Sequence, residues 1–351
     1  MDIPTLPGVT ARTIATERLT TRVLFTGPED GVPVLFLHGN LSSATWWEET
    51  MLGLPPGYRG IAPDQRGYGE ADPAAKIRAP LGLADLAEDA MALLDTLGID
   101  RAHVVTNSLG GSVGWRILRS HPERLLSLVQ VAPGSPYGYG GTKDVAGAPC
   151  YDDFAGSGAG LVNSEMVKEI AAGNRSADSP FTARSVLRSL IVKPPLILER
   201  EDAIVESMLA IHLGEQAYPG DSAPSLNWPF VAPGEWGPNN ALSPKYVGDV
   251  AEIVAASPKP PILWIRGSHD LIISDKAMTD AGTLGAMGLI PGWPGEEVFP
   301  SQPMIAQTRA VLERYAGAGG SFQEVVMEGV GHVPFLERLE EFNQHLHPWL
   351  A

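Results

Sequence analysis

The sequence predicts an α/β protein: a mostly parallel central sheet flanked by helices, with an inserted helical segment. Three observations carry this. Short apolar runs of strand length alternate with stretches of helical periodicity, the pattern of strands joined by covering helices. The clearest helix spans residues 83–97, with Leu83, Leu86, Ala87, Ala90, Leu93, Leu94 and Leu97 at helical spacing and Gly98 as its stop. Several apolar runs end abruptly in polar residues capable of chemistry, and ligands in open α/β sheets bind at such carboxyl ends of strands. With 351 residues, 44% hydrophobic and 19% charged, the chain is long enough for a large core.

Taken in order, strands are expected at 19–25, 32–37, 60–63, 102–106, 126–131, 262–265 and 322–327. The run to Leu37 leads into His38-Gly39-Asn40, and the run to Pro63 into Asp64-Gln65-Arg66-Gly67-Tyr68-Gly69. The run from Ala102 to Thr106 leads into Asn107-Ser108, followed by a glycine-rich helix from Gly110 to Ser120. There Gly110 and Gly114 lie four apart on one face, which lets the helix pack closely on the sheet. From Gly134 to about Tyr246 the composition shifts to Gly, Pro and Ser, with helical pieces at 164–172, 183–191 and 204–213. Residues 1–133 and 247–351 are therefore expected to form the core, and 134–246 an insertion. Gly156-Ser157-Gly158-Ala159-Gly160 follows no strand and reads as a flexible loop rather than a phosphate cradle. A second insertion lies between Asp270 and Phe322, and Trp293 within it is expected to pack.

The chemistry centres on Ser108. A tight strand-to-helix turn exposes a serine hydroxyl and leaves the next backbone N–H, on Leu109, unpaired at a helix start. A serine needs a histidine to take its proton, and the histidine needs an acid to fix its tautomer. The strand ending at Gly267 runs into Ser268-His269-Asp270, and the strand ending at Met327 runs into Glu328-Gly329-Val330-Gly331-His332. Ser108, Asp270 and His332 thus follow one another along the chain, each just past a strand end. Asn40, after the His38-Gly39 turn, and Leu109 are the expected backbone donors of an oxyanion hole.

With these motifs the chain resembles the α/β-hydrolase superfamily of serine hydrolases, outside residues 134–246 and much of the stretch 270–322. Asp64-Gln65-Arg66-Gly67-Tyr68-Gly69 is similar to the superfamily's Asp-x-Arg-Gly-x-Gly turn. The resemblance implies Ser108 as nucleophile, Asp270 as acid, His332 as base, and Asn40 and Leu109 as oxyanion donors. It also implies that 134–246 forms a cap over the site, with Tyr137, Tyr139, Phe154, Tyr218, Trp228, Phe230 and Trp236 forming its small core or lining a pocket. The usual Gly-x-Ser-x-Gly has Thr106 in place of its first glycine, as some lipases of this pattern carry alanine or threonine. The implied reaction is hydrolysis of a carboxylic ester or lactone of a small, largely apolar molecule. Asn107-Ser108-Leu109-Gly110-Gly111 also resembles the Asn-Ser-Met-Gly-Gly of meta-cleavage product hydrolases, so C–C bond hydrolysis is the alternative. A hydrolase-fold receptor for a small ligand, with little turnover, is the reading from another class.

The formal net charge of −16 opposes nucleic-acid or anionic-membrane partners, and no basic cluster interrupts it. A small-molecule substrate is the expected partner. No apolar run approaches a membrane span and residues 1–12 lack a secretory pattern, so a cytoplasmic location is expected. Cys150, the only cysteine, has no disulfide partner in the chain and reads as incidental. No metal-ligand spacing or cofactor fingerprint appears. Asp72 and Asp275 end no strand, His269 reads as a neighbour of the acid, and His38 as support for the oxyanion loop. His345 and His347 do not share a helix face, and His103, His121 and His212 take no role.

Overall fold

The computed structural model describes residues 4–351. Eight strands form one sheet: β1 (Thr10–Ala15), β2 (Thr20–Thr26), β3 (Val32–Leu37), β4 (Tyr58–Pro63), β5 (Ala102–Asn107), β6 (Leu125–Val131), β7 (Ile262–Gly267) and β8 (Phe322–Met327). Their spatial order is 1-2-4-3-5-6-7-8. β1 and β2 pair antiparallel, β2 joins β4 antiparallel, and every later pairing is parallel. All six residues of β5 are buried, as expected of a central parallel strand covered on both faces.

Seven strands lie where the apolar runs placed them, within two residues at each end. β1 is additional. Its sequence, Thr-Ala-Arg-Thr-Ile-Ala, is exposed at every position but one, so it carries no apolar stripe to read, and its pairing with β2 holds it at the sheet edge.

The chain runs from β3 outward to β4 and then crosses back to β5 on the other side of β3. The strand order therefore reverses between β3 and β5, and the carboxyl ends of those two strands flank a crevice. The helix α1 (Ala84–Thr96) connects β4 to β5, and α2 (Leu109–Ser120) connects β5 to β6. Gly98, with φ +69°, ends the first as anticipated.

Between β6 and β7 lie α3 (Ser164–Ala171), a short helix Ala183–Val186 continuing into a π-helical turn Leu187–Ile191, and α4 (Glu201–Leu209). The last of these departs from the expected 204–213. It starts earlier because Glu201 is held by Arg184 and Arg188, the latter at 2.7 Å, and past Leu209 the chain turns so that Leu213–Gly214 pairs with Tyr218–Pro219. The stretch 156–160 is not a flexible loop. A side chain at Gly156 would meet the Phe299 ring at 2.3 Å, and one at Gly158 would meet Asn240 Oδ1 at 2.5 Å, so this turn is packed between Asn240 of the insertion and Phe299 of the segment joining β7 to β8.

The insertion's aromatics divide. Tyr218 and Trp228 are buried, with Trp228 edge-on to Phe299 at 4.9 Å. Phe230 is exposed. Trp293 donates from its indole to Phe299 O at 2.8 Å and is packed, as expected. Among the described residues no helix is long and apolar enough to cross a membrane.

Candidate active site

Ser108 sits between β5 and α2 with φ +55° and ψ −116°, a conformation that costs a non-glycine residue about 1–3 kcal/mol. Surrounding contacts hold it there. Its N–H donates to Val131 O at 3.1 Å, and its carbonyl accepts from Gly111 N at 2.9 Å and Gly134 N at 3.2 Å. The turn requires close approach of backbones. A side chain at Gly110 would come within 2.3 Å of Leu37 O, and one at Gly111 within 2.5 Å of Pro133.

Thr106 replaces the glycine usual at this point without crowding the helix. Its methyl faces Gly114, where an added Cβ would lie 3.2 Å away, so space given up at 106 is recovered at 114. Its hydroxyl lies 2.6 Å from Gln130 Oε1 and 3.1 Å from Val129 O. Gln130 in turn donates to Gly111 O at 3.0 Å. Thr106 thus stitches β5 to β6 and, through Gln130, to the helix behind Ser108.

Asp270 and His332 meet at the adjoining strand ends. Asp270 Oδ2 lies 2.8 Å from His332 Nδ1, and Oδ1 accepts from the N–H groups of Ile272 and Ile273 at 2.8 and 2.9 Å. Both residues are buried. The carboxylate fixes the proton on Nδ1 and leaves Nε2 as an acceptor. Gly267 makes this possible, because a Cβ there would sit 2.1 Å from Gly331 O. The loops after β7 and β8 therefore run backbone against backbone, with His269 N donating to Val330 O at 2.9 Å. Ser108 Oγ forms no hydrogen bond among the described residues.

The loop after β3 passes directly over the serine: an added Cβ at Gly39 would lie 3.0 Å from Ser108 Cβ. His38 braces this loop. Its Nδ1 lies 2.8 Å from Gly39 O, and its Nε2 accepts from Gln65 N at 3.0 Å. Burial lowers His38 from 6.5 to about 4, so the ring is neutral, consistent with one donating and one accepting nitrogen. The Asp64–Gly69 turn on the far side is structural. Asp64 is fully buried and accepts from Ala44 N at 2.9 Å and Glu70 N at 3.0 Å, while Arg66 forms a two-pronged pair with Asp89 at 2.7 Å on both prongs.

Leu109 N–H, in the first turn of α2, has no intrahelical acceptor. Neither it nor the Asn40 N–H donates to another group among the described residues. Leu109 directly follows the serine, and Asn40 follows Gly39, whose added Cβ would lie 3.0 Å from Ser108 Cβ. The Asn40 side chain, by contrast, is engaged at both ends: its Oδ1 accepts from Tyr68 OH at 2.9 Å and Leu41 N at 3.1 Å, and its Nδ2 donates to Asn239 Oδ1 at 3.3 Å.

Asn239 was not singled out by sequence, nor was Glu337, whose carboxylate accepts from Gly331 N and Lys193 N, each at 3.0 Å. No residue-type pattern announces either contact, because each depends on how the insertion folds against the core. The other acids have local tasks. Asp275 accepts from Ile305 N at 2.8 Å at the start of the helix α5 (Met304–Gly317), and Asp72 accepts from Ala74 N at 2.9 Å. His269 is exposed. Burial pushes the Cys150 thiol up to about 12, which keeps it protonated at neutral pH. Among the described residues no group of three or more His, Cys, Asp or Glu is arranged to hold a metal ion.

A sheet with this order, a strained serine after β5 and an acid–histidine pair after β7 and β8 define a class of proteins. The family model described as "alpha/beta hydrolase fold" matches residues 32–291, and the chain belongs to this family. RutD of Variovorax paradoxus (strain S110), provisionally named a carbamate hydrolase, is 42% identical over 106 residues, 30% of this chain and 39% of that protein. A 2-hydroxy-6-oxo-6-phenylhexa-2,4-dienoate hydrolase of Burkholderia cepacia is 34% identical over 108 residues, 30% of this chain and 37% of that protein. The matched stretches thus span less than half the length of these relatives. Carboxylesterase CesB of Bacillus subtilis superposes with a TM-score of 0.59 at 19% identity, over 98% of this chain and 92% of that one, a likeness of fold.

Proposed function

We propose that this protein is a serine hydrolase that cleaves a carboxylic ester or lactone of a small, largely apolar molecule through an acyl-enzyme. Ser108 attacks the carbonyl carbon while His332 Nε2 takes its proton. Asp270 holds the opposite ring nitrogen and stabilises the imidazolium that forms. The N–H groups of Asn40 and Leu109 receive the oxyanion. His332 then protonates the leaving alcohol, and in the second half it takes a proton from the water that attacks the acyl group. Residues 134–246 act as a cap over the site.

The observation that carries this reading is the pair of unspent N–H groups beside a serine held at positive φ. A merely structural turn has no use for two open donors near a serine held in a strained backbone conformation. The test is turnover of a chain-length series of p-nitrophenyl esters by the wild type and by Ser108→Ala. Turnover that disappears in the variant supports the reading, and no turnover by the wild type on esters or lactones sinks it.

A second reading, hydrolysis of a C–C bond in a vinylogous diketone, is favoured by Asn107 before the serine and by the similarity to the Burkholderia cepacia enzyme. A C–C substrate turned over faster than any ester would establish it.

A further inference from the structure

Gly331, His332 and Val333 are all buried, so their three consecutive N–H groups need partners away from water. Their two partners, the Glu337 carboxylate and Ile191 O, lie outside this tripeptide. The Glu337 carboxylate accepts from Gly331 N through both oxygens, at 3.0 Å each, and from Val333 N at 3.4 Å. His332 N donates to Ile191 O at 2.9 Å. The same Glu337 carboxylate accepts from Lys193 N at 3.0 Å. One side chain therefore holds both the histidine loop and a segment of the insertion 144 positions away.

The segment it reaches is unusual. Ile191 closes the π-helical turn Leu187–Ile191, and such turns are rare and recur at functional sites. Carbonyls at a helix end lack intrahelical partners, and the Ile191 carbonyl is taken up by His332. Gly331 leaves room for this docking: a Cβ there would lie 2.8 Å from Ile191 O, 2.8 Å from Lys193 N and 2.9 Å from Glu337 Oε1.

We infer that Glu337 is a positioning residue that makes the placement of His332 conditional on docking of residues 191–193. This rests on the reading of His332 as the base. Asp270 fixes which way the imidazole ring is protonated and turned, whereas Glu337 fixes where its backbone stands. A base displaced by about 1 Å loses on the order of 100-fold in rate, so the insertion contributes to turnover as well as to substrate selection.

The test is Glu337→Gln, which keeps the shape but replaces one acceptor with an NH2 that opposes an N–H donor. Amide exchange at 331–333 and at 191–193 should accelerate together, by about tenfold or more, with β5 unchanged. The downfield Nδ1 proton of His332 should broaden or vanish from the proton spectrum. With a p-nitrophenyl ester, kcat should fall about 10- to 100-fold with little change in KM. Exchange that rises in only one of the two segments, or an unaltered Nδ1 resonance, overturns the inference. Both spectroscopic readings work without turnover, so they separate failure of this inference from failure of the ester reading. Should Glu337→Gln not fold, Gly331→Ala wedges the same junction apart and should give the same coupled exchange; wild-type protection at 191–193 in that variant overturns the inference.

Discussion

The side-chain amide of Asn107 donates to the main-chain carbonyl of His332 over 3.4 Å and to Val131 O over 3.1 Å. The residue before the proposed nucleophile is thus tied to the backbone of the proposed base, 225 positions away. Replacing Asn107 with Ala removes both bonds from a buried site. It should lower kcat by about tenfold at nearly constant KM, in line with about 1–2 kcal/mol for the lost contacts. Steady-state kinetics on the preferred ester checks this.

Ser108→Ala should lower turnover by about 10⁴-fold or more, and Asp270→Asn by about 10⁴-fold with the fold intact, because the wrong histidine tautomer is then favoured. Circular dichroism beside the kinetics separates lost chemistry from lost structure.

Stability should also depend on acid through His38. Its folded value, about 4, lies below the ordinary 6.5, so the unfolded chain binds a proton first as pH drops. The stabilisation is complete above about pH 6.5 and is lost as pH falls towards 4, amounting to about 3 kcal/mol. Urea unfolding at pH 7 and pH 5 should show about 2 kcal/mol of this loss, and His38→Gln should flatten the slope.

Thr106→Gly, which restores the more usual motif, should destabilise the protein. It removes the hydroxyl shared with Gln130 Oε1 and Val129 O and opens space beside Gly114. The expected cost is about 1–3 kcal/mol, read as a lower melting temperature. An unchanged melting temperature would mean that the Gln130 link contributes nothing.

Asn239→Ala should weaken the hold on Asn40 and lower kcat by about 2- to 10-fold, from about 0.5–1.5 kcal/mol for one hydrogen bond. The melting temperature should stay nearly unchanged, because the bond lies at a partly buried surface.

The elements nearest the candidate site were the most legible. β3, β5, β7 and β8 read as apolar runs because parallel strands bury both faces, and the polar residues just beyond them stood out by contrast. Asp270 and His332, 62 residues apart, could be paired from that logic alone, and they lie 2.8 Å apart. β1 was missed because Thr10–Ala15 is exposed on both faces and shows no stripe. The start of α4 was misplaced because Glu201 answers to Arg184 and Arg188, and the turn at 156–160 because its burial comes from Phe299 and Asn240. Asn239 and Glu337 escaped for a related reason: their partners are set by tertiary docking, which leaves no period in the sequence.

The junction between the insertion and the histidine loop is made by the main-chain atoms Ile191 O and Lys193 N. Backbone atoms are common to nearly all residue types, so mutation can redraw the side chains of this segment while the anchor persists. Such a joint uncouples two kinds of evolutionary change. Side chains across residues 134–246 can then change while the backbone of the proposed base, His332, keeps its register.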